Sequence, residues 1–413
     1  MTWSPPPPPP WLSRMNALAA SVGGAEHLIR LDPDELVAQA IATTGLDDFG
    51  PDDFRTPLRV LLDAAEREAA LTVAGRLVTR TEVLRLLQNR LRLVAWQHAD
   101  PVAAVAPVAA PIVIVGTARS GTSILHELLA CDPANRTPAT WEVMFSIPPP
   151  EAATYTTDPR IAVAHAEVTW WHDLAPSYVA MHENAGHHPQ ECIFLMAHAF
   201  QSNHFSGALD APSYTRWLAS SDMGPAYRIH RALLRCLQSR HRLTRWVLKA
   251  PSHLGTLDAL FAVYPDARIV LTHRDPHKTL PSTISLLATL RSMRSARVDV
   301  PTIARTTATG VAGLLERMIA MRADGRLPDA QFVDVAYADL VSRPLDTLAA
   351  LYGRLGLALT PAARDRMAAH LAAKPRGRHG IHRYGLDDFG FGAGDVDRLY
   401  AAYLDRFAIA RER

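Results

Sequence analysis

Ile112-Val113-Ile114-Val115-Gly116-Thr117-Ala118-Arg119-Ser120-Gly121-Thr122-Ser123 leads directly into Ile124, Leu125, Leu128 and Leu129 at helical spacing. The β-branched run predicts a buried strand, the two glycines bound a loop, and the apolar residues beyond it predict a helix that starts near Thr122. A strand, a glycine-bounded loop and a helix N-terminus aim several backbone N–H groups and the positive end of a helix dipole at one point, which makes a cradle for a phosphate or sulfate. A nucleoside triphosphatase needs G-x-x-x-x-G-K-[ST], with its lysine on the terminal phosphates. Here Thr122 follows Gly121, and the cation inside the loop is Arg119. A guanidinium binds such oxygens in bidentate fashion. Arginine here suits transfer of a group that holds no metal between its oxygens.

Outward from this loop, short apolar runs alternate with helical patterns, the signature of a parallel sheet. The expected strands are Ile112–Val115, Trp246–Leu248, Arg268–Thr272 and Gln331–Val335. Residues 148–243, rich in aromatics and histidine, read as mainly helical. Ahead of the sheet, Asp32-Pro33-Asp34-Glu35 combines a cap, a first-turn proline and an acid three residues on, opening a helix through about Thr44. Leu58, Leu61, Leu62 and Ala65 predict a second helix, and Thr79 with Glu82 forms a capping-box pattern before a third. Pro5–Pro10 predicts an extended, disordered leader, because six prolines fix φ and remove donors.

Composition limits the function classes. Forty-three basic against 41 acidic residues leave a formal charge of +2 in 413 residues, so no strong field advertises nucleic acid or an anionic membrane surface. Cys131, Cys192 and Cys236 lie far apart without C-x-x-C spacing, which argues against disulfides and zinc and for a reducing, cytoplasmic location. The N-terminus has no basic n-region, and the most apolar stretch, 101–116, is too short and proline-broken to span a bilayer.

A second anion site follows the third of these strands. Arg268-Ile269-Val270-Leu271-Thr272-His273-Arg274-Asp275-Pro276 ends a strand in Arg274, and Ser282 lies eight residues further on the next helix, so both can converge on one anion. With the R-S-G-T-S core of the loop, this pair resembles the 3′-phosphoadenosine 5′-phosphosulfate (PAPS)-dependent sulfotransferase superfamily, in the bacterial branch with an arginine-type loop. The resemblance runs over about residues 110–410 in order. It implies a P-loop-like three-layer α/β/α fold with a central parallel sheet, preceded by a helical N-terminal segment. The expected divisions are a disordered proline-rich leader at 1–27, a helical region at 28–105 and the sulfotransferase domain at 106–413. It also implies PAPS as co-substrate, with no metal expected. Arg119, Ser120, Gly121, Thr122 and Ser123 would hold the 5′-phosphosulfate, and Arg274 and Ser282 the 3′-phosphate. Arg376 and Gly377, in the basic loop Lys374-Pro375-Arg376-Gly377-Arg378-His379-Gly380, match part of the family's element that closes over that phosphate.

In-line sulfuryl transfer needs cations on the shifting charge and a base for the acceptor's proton. Arg119 supplies one cation. Lys249, at the end of Trp246-Val247-Leu248-Lys249, supplies a second, since parallel strands collect ligands at their carboxyl ends. For the base, Glu142 ranks first by its place after the phosphate helix in the arginine-loop enzymes, and His188 second. Glu191 reads as a substrate-pocket or structural residue. The aromatics and methionines between Trp170 and Trp217 mostly fill core, and the remainder favour a small apolar acceptor. The expected partner is a small-molecule hydroxyl, with no nucleic acid and no membrane span; a homodimer is compatible with the sequence. A phosphate-loop kinase and a catalytically silent nucleotide-binding protein are the rival readings.

Overall fold

The computed structural model describes residues 3–181, 183–241, 245–374 and 384–412. Five parallel strands form one sheet: β1 (Ile112–Gly116), β2 (Asn135–Arg136), β3 (Arg245–Lys249), β4 (Arg268–His273) and β5 (Phe332–Ala336), in the order β2-β3-β1-β4-β5. In register, Ile112 faces Val247 of β3 on one side and Arg268 of β4 on the other.

Alternation along the strands builds the layers. Val113, Val115, Leu248, Ile269 and Leu271 point into one core, which also takes in the N-terminal helices. Ile112, Ile114, Val247, Val270 and Val333 point into the other, against Leu125, Leu128 and Leu129 of the phosphate helix (Thr122–Ala130) and Leu348 and Leu351 of the helix Pro344–Arg354. The sheet is thus buried on both faces, as the fold expectation required.

Local differences from the sequence reading have physical causes. β2 was not foreseen, because a two-residue edge strand has no period to detect. The fifth strand starts one residue late, since the Gln331 side chain donates to the carbonyls of Pro265 and Ala267 at 3.0 and 2.7 Å instead of joining the ladder. The expected disordered leader contains a helix, Pro10–Ser21, with Pro10 in the first turn and Leu12 buried against Ala74, Leu174 and Met293. Thr79 and Glu82 cap nothing. One 27-residue helix, Val73–Ala99, runs through both, capped instead by Thr72, whose hydroxyl accepts from Gly75 N at 3.0 Å. Gly75 is required here: a Cβ would fall 1.9 Å from the Arg294 carbonyl oxygen, so only glycine lets this helix dock.

No helix among the described residues is long and apolar enough to cross a membrane.

Candidate active site

The carboxyl ends of β1, β3 and β4 deliver, side by side, the loop 117–121, Lys249 and Arg274. The loop is built for close approach. At Gly116 (φ +153°) a Cβ would meet the Thr272 hydroxyl at 2.3 Å, and at Gly121 (φ +92°) the Tyr337 ring at 2.7 Å. Ser120 is buried and donates inward to Thr117 O at 2.6 Å while its hydroxyl shares a bond with Thr272 at 2.7 Å, so it shapes the loop rather than facing the cradle. The nine-residue helix Thr122–Ala130 has no side-chain cap, and the buried Thr117 hydroxyl makes no bond among the described residues. Open helix donors plus an orphaned hydroxyl suit an oxyanion, so the cradle fits the expected phosphosulfate group.

The residues expected for the two anion sites meet. Arg119, held at φ +69°, donates from Nε to Ser282 Oγ at 3.0 Å and from Nη1 to Met181 O at 2.8 Å. Arg274 donates to the Arg119 carbonyl at 2.8 Å and lies 3.9 Å over the Tyr337 ring. Its remaining donors grip the Glu412 carboxylate at 2.8 and 3.0 Å, which shows that this guanidinium is presented to an anion. Tyr384 donates to Ser282 Oγ at 2.5 Å. Tyr337 and Tyr384 were missed from sequence, since a lone tyrosine after a strand or loop carries no periodic signal. Arg376 and Gly377 lie outside the described residues. Their neighbour Lys374 pairs with Glu127 and Glu183 at 2.7 and 3.1 Å.

Lys249 is nearly fully buried, donates to Ser123 Oγ at 3.3 Å and is ion-paired with Glu191. His126, packed behind, is pushed down to about 3 by burial and by the Lys249 charge, so its ring is uncharged at neutral pH. Glu191 also lines a cavity of about 340 Å³ whose exposed wall is mainly apolar: Val143, Trp171, Phe194, Leu254, Leu287 and Leu314 contribute, and Gly116–Ala118 form its floor.

Glu142, expected as the base, does not reach the cavity. It is wholly buried, ion-paired with Arg136, and accepts from Ala139 N at 2.9 Å and from the Tyr155 hydroxyl at 3.0 Å. Both oxygens are committed, and it does not line the cavity. His188, the second choice, is also off the cavity. Its carbonyl accepts from Thr140 N at 2.9 Å, its ring meets His187 edge-on at 4.8 Å, and burial and then His187 hold it below the usual histidine range. Both lie in segments that are hydrogen-bonded to each other just before Glu191. Trp141 N bonds to Gly186 O and Gln190 N to Pro138 O, so residues 186–190 run antiparallel to 138–141 through the bridge Ala139–Pro189, and the next residue, Glu191, emerges at Lys249. Glu142 pins this turn from behind. The sequence signal was present in Glu191 as the residue just before the helix Cys192–Met196, but nothing local says which carboxylate faces a cavity.

Among the described residues, no group of three or more His, Cys, Asp or Glu side chains converges to hold a metal ion.

The sequence profile of the sulfotransferase family matches residues 111–361. The omega-hydroxy-beta-dihydromenaquinone-9 sulfotransferases Stf3 of Mycobacterium bovis and Mycobacterium tuberculosis are 28% identical over 278 residues, 63% of this chain and 66% of theirs. The chain thus spans just under two thirds of the length of these curated relatives. Among solved structures, sulfotransferase STF1 from Mycobacterium tuberculosis is 35% identical with a TM-score of 0.78, covering 89% of this chain and 98% of that one. Sulfotransferase STF9 from Mycobacterium avium is 28% identical with a TM-score of 0.81, covering 92% and 97%.

Proposed function

The chain belongs to the sulfotransferase family of enzymes, and from that premise we propose that it transfers the sulfuryl group of PAPS to the hydroxyl of an apolar small molecule. The observation that carries this reading is the Lys249–Glu191 ion pair, which stands where the phosphate loop opens into the apolar cavity. The loop amides, Thr117 and Arg119 hold the phosphosulfate, and Arg274 with Ser282 and Tyr384 holds the 3′-phosphate. The donor supplies the electrophilic sulfur; the protein orients it and keeps water away. As the acceptor oxygen bonds to sulfur and the sulfur–phosphate oxygen bond breaks, Glu191 takes the acceptor's proton. Lys249 turns from Glu191 to the leaving phosphate oxygen, where negative charge develops. Glu191 replaces Glu142 as the base because it alone of the two faces the cavity. The Mycobacterium relatives named for an omega-hydroxylated dihydromenaquinone support an apolar alcohol as acceptor class. Localisation in the cytoplasm remains part of this proposal, resting on the scattered cysteines.

The test is calorimetric titration with 3′-phosphoadenosine 5′-phosphate (PAP), ATP and AMP in parallel, followed by transfer from labelled PAPS to a panel of apolar alcohols. Preference for ATP over the bisphosphate would overturn the reading in favour of a kinase.

Two further outcomes are expected. Arg274→Ala should weaken PAP binding by about 1.5–3 kcal/mol, the range for hydrogen bonds to charged groups, and leave adenosine 5′-phosphosulfate nearly unaffected. Equal losses for both ligands would show that Arg274 does not read the 3′-phosphate. Glu412→Gln should act in the opposite direction, because it removes the carboxylate that the 3′-phosphate must displace. For a partly exposed pair the gain in PAP affinity is up to about 1 kcal/mol, roughly fivefold. Unchanged affinity would place the phosphate elsewhere.

A further inference from the structure

The apolar cavity contains a second polar point that the transfer reaction does not use. His204, on the helix Asn203–Ala208, lines the cavity and is 6% exposed. Its Nε2 lies 2.6 Å from Glu82 Oε1, and Glu82 Oε2 accepts from Arg294 Nη1 at 2.9 Å. Arg294 is buried, bonds Thr79 Oγ1 at 3.3 Å and lies over the Trp171 ring of the cavity wall at 5.4 Å. Burial opposes ionisation of Glu82, but the charges of His204 and Arg294 outweigh it and hold the carboxyl well below its usual range. An ionised carboxylate accepts only, so Nε2–H is the donor, and Nδ1 is left for a second partner, which it meets as an acceptor in the neutral ring and as an N–H donor in the imidazolium. Among the described residues nothing bonds to Nδ1. A buried ionic cluster that fixes one imbidazole nitrogen and leaves the other open in an apolar wall is costly unless something completes it.

We propose that His204, positioned by Glu82 and Arg294, is a specificity-determining residue: its Nδ1 forms a hydrogen bond with a second hydroxyl of the acceptor, remote from the one that receives the sulfuryl group. This rests on the cavity being the acceptor site. Phe194, three residues after Glu191 on the helix that Glu191 leads into, packs its ring 4.7 Å from that of His204 on the cavity wall. The favoured class is an elongated apolar diol. His204 is held by Glu82 rather than by Lys249 or the loop, which makes it a reader of the acceptor rather than a second base. Glu82 comes from the long N-terminal helix, so the helical preface contributes to acceptor choice.

The probes are 1,8-octanediol and 1-octanol, titrated into the full chain with PAP present, and the readout is the ratio of the octanol to the diol dissociation constant. In His204→Leu the second hydroxyl is buried without a partner, so this ratio should fall by roughly tenfold or more. His204→Gln, which keeps an amide for Glu82 and an oxygen for the cavity, should retain most of it. In the unaltered protein, where folding is not in question, 1-octanol offers Nδ1 no partner and should bind roughly tenfold more weakly than the diol. A ratio that does not change in His204→Leu, 1-octanol that binds the unaltered protein as well as the diol, or no binding of either alcohol overturns the proposal. Diol discrimination without any transfer from PAPS would instead overturn the sulfotransferase activity and leave this inference standing. Transfer to both alcohols with equal affinity would do the reverse.

Discussion

Glu191→Gln is expected to lower turnover by roughly 100- to 10,000-fold, the range for a lost general base, while PAP affinity holds or rises. Glutamine keeps the shape and one hydrogen-bonding oxygen but cannot accept the acceptor's proton. It also leaves Lys249 without the carboxylate that now neutralises it, so the cation becomes more available to the donor's anionic groups. The two readouts must therefore move apart, and that separation is what distinguishes a base from a residue that merely holds the lysine. Turnover is measured with labelled PAPS and any accepted alcohol, and affinity by calorimetry. Parallel loss of PAP binding and turnover would make Glu191 a structural partner of Lys249 and leave the base unassigned.

Glu142→Gln should show the opposite pattern. Its side chain is wholly buried, Arg136 is 3% exposed, and the pair is shielded further by Trp246, over whose ring the Arg136 guanidinium lies at 4.8 Å. Removing one charge strands the other in the interior, which typically costs about 3–5 kcal/mol. The unfolding midpoint in denaturant should drop accordingly, whereas turnover per folded molecule should fall well short of the roughly 100-fold that marks a missing base. Part of any loss would come from slackening of the 138–141 turn, to which the segment carrying Glu191 is hydrogen-bonded. A Glu142→Gln protein of normal stability with no turnover would return the base to Glu142.

The contrast between these two glutamates marks how much of the site could be read from the chain. The phosphate loop was legible because its chemistry is local: β-branched residues, two glycines at strained positions and a helix start follow one another within twelve residues. Lys249 and Arg274 were legible because each ends an apolar strand, and parallel strands must place their ends together. The three-layer fold followed from the same alternation, since strands apolar on both faces need helices on both sides.

Which carboxylate meets the acceptor was not local. Glu142 and Glu191 each precede or open a short helix, and only the antiparallel pairing of residues 138–141 with 186–190, almost fifty positions apart, turns one inward to Arg136 and the other outward to Lys249. The same holds for Thr79 and Glu82. Their spacing fits a helix cap, yet continuous helix from Thr72 and docking through Gly75 onto Arg294 place them in a buried cluster with His204. The sequence alone therefore determined the four longer strands, the glycine-bounded loop and the basic residues at the strand ends, because backbone geometry and hydrophobic period act over a few residues. The tertiary structure decided which buried charges are paired away and which face the cavity, because the cost of burying a charge is settled by partners that packing brings from distant parts of the chain.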